Sequence, residues 1–121
     1  MIDSIHNYYR DIAARNCLIN IENENLTAKL GDFGLSREIY SNDYYKQKNG
    51  QKALPIRWMS PEAINYGLFD SKSDVWAFGV LIWEVLTLGH QPYSILSNEE
   101  VIKYITSGNV LQIAENCPPQ M

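Results

Sequence analysis

The sequence offers little that would commit it to a membrane, a metal cluster or a nucleic acid. Its longest apolar stretch, Val75 to Leu88, is interrupted by Glu84 and falls short of the roughly 20 residues that span a bilayer. Met1 is followed by a mixed polar stretch instead of a basic start and an apolar run, so no signal peptide is read. Any membrane attachment is expected outside this chain. Cysteine is scarce: Cys17 and Cys117 stand far apart, with no CxxC and no Cys-His spacing. Two free, buried thiols in a reducing compartment are expected, and neither suits a metal. Basic charge is not in excess, with 10 Lys and Arg against 14 Asp and Glu and a net charge of −4, which excludes a global field for nucleic acid. Lys46, Lys48 and Lys52 cluster locally, but without interleaved aromatics they read as a solvated loop. No internal repeat or low-complexity segment is present.

What is there is an ordinary globular composition, 45% hydrophobic over 121 residues, enough for one modest core. Residues 1–10 read as the end of a helix entering a loop. Cys17-Leu18-Ile19 and Ala28-Lys29-Leu30 read as two short strands joined by the polar turn Glu22-Asn23-Glu24-Asn25. Residues 35–54 are polar, tyrosine-rich and aperiodic, a loop long enough to signal function or disorder. Pro61 and Gly67 bracket a short helix. The next helix is predicted from about Ser73 to Leu88, stopping at Gly89, and its apolar residues cover nearly every face, so burial all round is expected. Ser97-Asn98-Glu99-Glu100 is a capping box that opens another helix, with Val101, Ile102 and Ile105 inside.

The chemistry is concentrated in two places. Arg10-Asp11-Ile12-Ala13-Ala14-Arg15-Asn16 sets a carboxylate five residues before an amide, and Asp32-Phe33-Gly34 adds a second carboxylate on a glycine turn. Phosphoryl transfer needs a positioned acceptor hydroxyl and cations that neutralise phosphate charge. An Asp base with Asn and Asp oxygen donors suits that need, because Mg²⁺ prefers hard oxygen ligands.

In order and spacing these stretches resemble the catalytic and metal-binding loops of protein kinases, and Ala13-Ala14-Arg15 is similar to the tyrosine-kinase form. Ser60-Pro61-Glu62 resembles the family's Ala-Pro-Glu. Ser73-Asp74-Val75-Trp76-Ala77-Phe78-Gly79 resembles its large buried helix, and Pro55-Ile56-Arg57-Trp58-Met59 its substrate-receiving loop. The run through Asp43-Tyr44-Tyr45 and the stretch Leu86 to Tyr93 look most like the sevenless/Ros group of receptor tyrosine kinases. The implied fold is α+β and protein kinase-like, a mostly helical C-terminal lobe with a small β hairpin, over residues 1–121 from the catalytic loop through the helix after the substrate loop. No Gly-x-Gly-x-x-Gly loop and no Val-Ala-x-Lys strand precede Asp11. The N-lobe and the last helices are therefore expected to be missing.

The resemblance implies roles residue by residue. Asp11 is the expected base, Arg15 orients the acceptor, and Asn16 and Asp32 hold Mg²⁺ and with it ATP. Arg10 is expected to meet a phosphorylated loop residue, with Tyr40, Tyr44 and Tyr45 as the regulatory tyrosines. Pro55, Trp58 and Met59 form the apolar floor for the acceptor ring. Phe33, Glu62 and Asp74 are structural, Asp74 by accepting N–H groups of the catalytic loop. Tyr9 stands where the family usually has His, and residues 108–114 depart from its Gly-Gly-Arg-Leu pattern.

The implied function is transfer of the γ-phosphoryl of ATP to protein tyrosines in receptor signalling, at the cytoplasmic side of the plasma membrane. The implied partners are protein tyrosine substrates, phosphotyrosine-binding signalling proteins and a second receptor for trans-phosphorylation. Nucleic acid is excluded. The alternative is a catalytically incomplete fragment that acts as a binding or interfering module, and Ala13-Ala14-Arg15 argues against a Ser/Thr kinase.

Overall fold

The computed structural model describes residues 12–31, 41–46, 53–115 and 117–119. Strands β1 (Cys17–Glu22) and β2 (Asn25–Leu30) form an antiparallel hairpin in which Cys17 pairs with Leu30 and Glu22 with Asn25. The strands are longer than the sequence suggests, because the turn needs only Asn23 and Glu24. Both have left-handed backbone, φ 52° and 67°, the geometry of a two-residue hairpin turn whose twist matches its strands. A 3-10 turn, Ala14–Asn16, leads into β1.

The tyrosine-rich loop is not wholly irregular. A 3-10 turn at Ser41–Asp43 precedes β3 (Tyr45–Lys46), which pairs antiparallel with β4 (Ala53–Leu54). A further 3-10 turn, Ile56–Trp58, leads into α1 (Pro61–Tyr66). Pro61 opens α1, where its missing N–H is no loss. Gly67 closes it at φ 66°, donating to the Ala63 carbonyl, in a conformation a side chain would strain.

Helix α2 spans Ser71–Leu86 and begins two residues before the predicted start. Asp70 is its cap: the carboxylate accepts from the Ser73 N–H at 2.9 Å, and Ser73 Oγ accepts from the Asp70 N–H at 2.8 Å. Helix α3 (Asn98–Thr106) carries the expected capping box, Glu100 N–H to Ser97 Oγ and Ser97 N–H to Glu100 Oε1.

Two buried clusters meet at α2. Ile12, Ala13, Trp58, Ala77 and Val80 form one, under the Ala14–Asn16 turn. Ile56, Met59, Ala63, Tyr93, Val101 and Ile105 form the other, with Trp76 packed against both. Burial of α2 all round is not what the structure shows. Val75, Phe78 and Val85 are 70%, 53% and 63% exposed, because the described loops pack on the opposite side, against Ala77, Val80 and Glu84. Cys17 and Cys117 are free thiols, half-buried. Among the described residues no helix is long and apolar enough to cross a membrane.

Candidate active site

Cys17 pairs with Leu30, and the Gly31 N–H donates to the Asn16 carbonyl at 2.8 Å. Asn16 and Gly31, the residue before Asp32, are thereby held at one end of the hairpin. Asn16 is 1% exposed, and its N–H closes the 3-10 turn on the Ala13 carbonyl at 3.0 Å. Asp11, Arg10, Asp32, Phe33 and Tyr40 lie outside the described residues. Ile12 and Ala13, which follow Asp11 directly, are buried in the core.

Arg15 is the centre of the described site. Its side chain is only 2% exposed. The guanidinium carbon lies 4.4 Å from the ring centroids of both Tyr44 and Trp58, close enough for cation–π attraction. Nε donates to the Tyr44 hydroxyl at 2.9 Å, and Nη1 pairs with the Asp43 carboxylate at 3.3 Å. Gln91 Nε2 donates to the Asn42 carbonyl at 3.1 Å. Tyr44 is thus buried, 8% exposed, and seated on Arg15. Tyr45 is half-buried and packs against the second cluster.

Pro55, Trp58 and Met59 are all buried. They lie beneath the site, Met59 in the second core cluster and Trp58 in the first. Glu62 sits half-buried in the first turn of α1. Asp74 is half-buried in the first turn of α2, its N–H donating to the Asp70 carbonyl at 3.1 Å.

Two residues that the sequence reading left without a role carry the loops. Glu84, buried in α2, accepts from the Ala14 N–H at 2.8 Å and from the Trp58 indole N–H at 2.9 Å, both on Oε2. Arg57, also buried, spreads four hydrogen bonds over the carbonyls of Pro92, Tyr93 and Leu96 and the Asn98 side chain. Each had one signal in the sequence, a charge inside an apolar run, because a buried charge must find partners.

Burial pushes the Glu84 carboxyl above its ordinary value of 4.5, against the hydrogen bonds from Ala14 and Trp58 and the nearby Arg15 charge, which pull it down. The folded protein therefore binds this proton more tightly than the unfolded chain. The resulting stabilisation is complete below 4.5 and is lost as pH rises through the raised folded value. Glu84→Gln removes the linkage. The unfolding midpoint of the unsubstituted protein should fall relative to that of the variant as pH rises above 4.5 and through the raised folded value. Parallel midpoint profiles would rule this out. Burial likewise pushes the Cys17 thiol up, with the Glu84 charge adding to it, which keeps it a thiol.

An apolar cavity of about 450 Å³ lies elsewhere, lined by Trp83, Tyr93, Leu96, Tyr104, Leu111 and Ile113 among others, and shares no residue with the Arg15 cluster.

The family model of the protein tyrosine and serine/threonine kinases matches residues 2–121, and the chain belongs to that family. It is 50% identical to the mouse proto-oncogene tyrosine-protein kinase ROS over 122 aligned positions, covering 99% of this chain and 5% of the relative. It is 52% identical to a putative molluscan insulin-related peptide receptor of Lymnaea stagnalis over 93% of this chain and 7% of the relative. To the mouse insulin receptor-related protein it is 50% identical, over 93% of this chain and 8% of that protein. The chain thus spans between 5% and 8% of the length of these relatives.

Proposed function

We propose that residues 1–121 are the catalytic-loop and substrate-loop part of a receptor protein-tyrosine kinase domain, which transfers the γ-phosphoryl of ATP to tyrosine hydroxyls. The observation that carries this reading is the 2.9 Å hydrogen bond from Arg15 Nε to the Tyr44 hydroxyl. A tyrosine ring lies against the catalytic loop with its hydroxyl on the arginine next to Asn16, the arrangement an acceptor tyrosine requires. Asp11, four residues before Arg15, is the base for that hydroxyl.

Asn16 and Asp32 fit a Mg²⁺–ATP site. The Gly31 to Asn16 hydrogen bond ties the Asn16 turn to the residue before Asp32, and amide and carboxylate oxygens are the donors this cation takes. When bound, the cation neutralises phosphate charge. The protein's own share is to hold the acceptor hydroxyl and remove its proton. In this reading the protein works at the cytoplasmic side of the plasma membrane, acting on protein tyrosines after self-association and creating sites for phosphotyrosine-binding proteins.

Tyr44 also accounts for control. Seated on Arg15, it occupies the acceptor position in place of a substrate, and Asp43 and Gln91 hold its segment down. Phosphorylation adds about −1.5 to −2 charges and bulk, which the buried site cannot accommodate, so the loop must leave once modified. Tyr40 and Tyr45 are the companion regulatory tyrosines, with Arg10 to receive a phosphate.

The test is peptide phosphorylation by the full-length protein. It should phosphorylate tyrosine and not serine peptides. Tyr44→Phe should raise the initial rate before ATP preincubation by about tenfold to a hundredfold, the range expected for losing one hydrogen bond to a charged group. A protein without tyrosine kinase activity would leave the interfering-module alternative standing. An active one whose basal rate ignores Tyr44→Phe would refute the brake alone.

A further inference from the structure

Arg15 is held from two sides, and both supports end on the same atom. Along the chain its neighbour Ala14 donates to Glu84 Oε2 across 70 residues of sequence. Through space its guanidinium rests on the Trp58 indole, whose N–H donates to the same Oε2 across 26 residues. The catalytic loop and the substrate loop do not need to match each other by their own packing. They share one carboxylate oxygen, placed by α2.

The location of that oxygen is unusual for a purely structural staple. Glu84 is 7% exposed, and burial opposes its charge. Its two hydrogen-bond donors are a backbone amide and an indole, both neutral. The nearest cation acting on it is Arg15, through space, and the Asp43 carboxylate opposes it. An apolar residue of similar size would fill the same volume at less desolvation cost. A side-chain oxygen here supplies what an apolar side chain does not, one acceptor for both the Ala14 amide and the Trp58 indole.

We infer that Glu84 is the positioning residue for acceptor tyrosines: by gathering the Ala14 amide and the Trp58 indole onto one oxygen, it sets where the Arg15 guanidinium meets the acceptor hydroxyl. This rests on the tyrosine kinase reading above. Glu84 touches neither substrate nor nucleotide. Its influence reaches the acceptor side through both Arg15 and Trp58, and Asn16 only through the shared Ala14–Asn16 turn, which the hydrogen bonds to Ala13 and from Gly31 also hold.

The experiment measures initial rates of the full-length protein against tyrosine peptide and ATP separately. Glu84→Ala should raise the peptide KM about tenfold while the ATP KM stays within about twofold. Glu84→Gln retains a carbonyl oxygen that can accept both N–H groups, so it should recover most of the loss. Trp58→Phe deletes one donor while leaving an aromatic face for Arg15. It should raise the peptide KM in the same direction, and combining it with Glu84→Ala should add less than the two single effects together. Equal changes in both KM values, or fully additive losses, would overturn the inference. If Glu84→Ala does not fold, Trp58→Phe decides by the same KM split. An unmodified protein that phosphorylates no tyrosine peptide sinks the kinase reading and this inference together, whereas an active protein with unsplit variants sinks this inference alone.

Discussion

Arg57→Ala should destabilise the protein by about 3 kcal/mol, the scale of a broken buried polar network. The guanidinium is buried, and desolvation pulls its pKa below the ordinary arginine value, yet its partners are mostly carbonyls. Nη1 donates to Pro92 at 2.8 Å and Tyr93 at 2.9 Å. Nη2 donates to Leu96 at 3.0 Å and to Asn98 Oδ1 at 3.1 Å. These groups lie in the turn between α2 and α3 and at the first residue of α3. Tyr93 itself has φ 53°, a left-handed backbone that costs a non-glycine residue about 1 kcal/mol. Arg57 fixes the carbonyls on both sides of that strained residue. Removing the fork leaves three carbonyls without their donor and frees the turn to relax. Arg57→Lys should recover less than half of the loss, because a single ammonium cannot reproduce two parallel rows of donors. Denaturant midpoints test the first claim, and amide exchange across residues 92–98 tests the second. A loss below about 1 kcal/mol would show that the turn stands without Arg57.

Asp11→Asn should lower kcat of the full-length protein by about a thousandfold, within the range that general-base removal produces, with little change in the ATP KM. Asp11 is followed directly by Ile12 and Ala13, 7% and 0% exposed, which lock into the core with Trp58, Ala77 and Val80. An exchange of one carboxylate oxygen for an amide therefore leaves that anchoring unchanged and removes only proton acceptance. Asp32→Asn should act differently, by weakening Mg²⁺-dependent use of nucleotide, so that its defect shrinks as Mg²⁺ is raised. Rates measured over a Mg²⁺ series separate the two. If Asp11→Asn retained kcat, the base would have to be sought elsewhere.

Local rules made some parts of the fold readable and left others hidden. The Ser97 and Glu100 capping box, the Pro61 and Gly67 bracket and the hairpin between Cys17 and Leu30 depend on residues a few positions apart. The start of α2 was misplaced because Asp70, not a residue nearer Ser73, accepts the first-turn N–H. The burial of α2 was overestimated because apolar character on a face does not say whether anything covers it, and Val75, Phe78 and Val85 remain exposed. The interior position of Tyr44 was equally unreadable. In a polar loop a tyrosine has no periodic neighbours to mark it, and its place is set by an arginine 29 residues away.

The sequence by itself determined which groups are present and in what order: Asp11, Asn16 and Asp32, the Ala13-Ala14-Arg15 stretch, the trio of loop tyrosines, and the resemblance to the kinase family that the family model bears out. The tertiary structure decided how those groups are held. That Arg15 lies on Tyr44 and Trp58, that one oxygen of Glu84 serves both loops, and that Arg57 grips the turn before α3 depend on contacts between 26 and 70 residues apart. Such contacts leave no local period, because a buried charge fixes only that partners must exist. Which amides, indoles and carbonyls answer it is settled when the chain closes around α2.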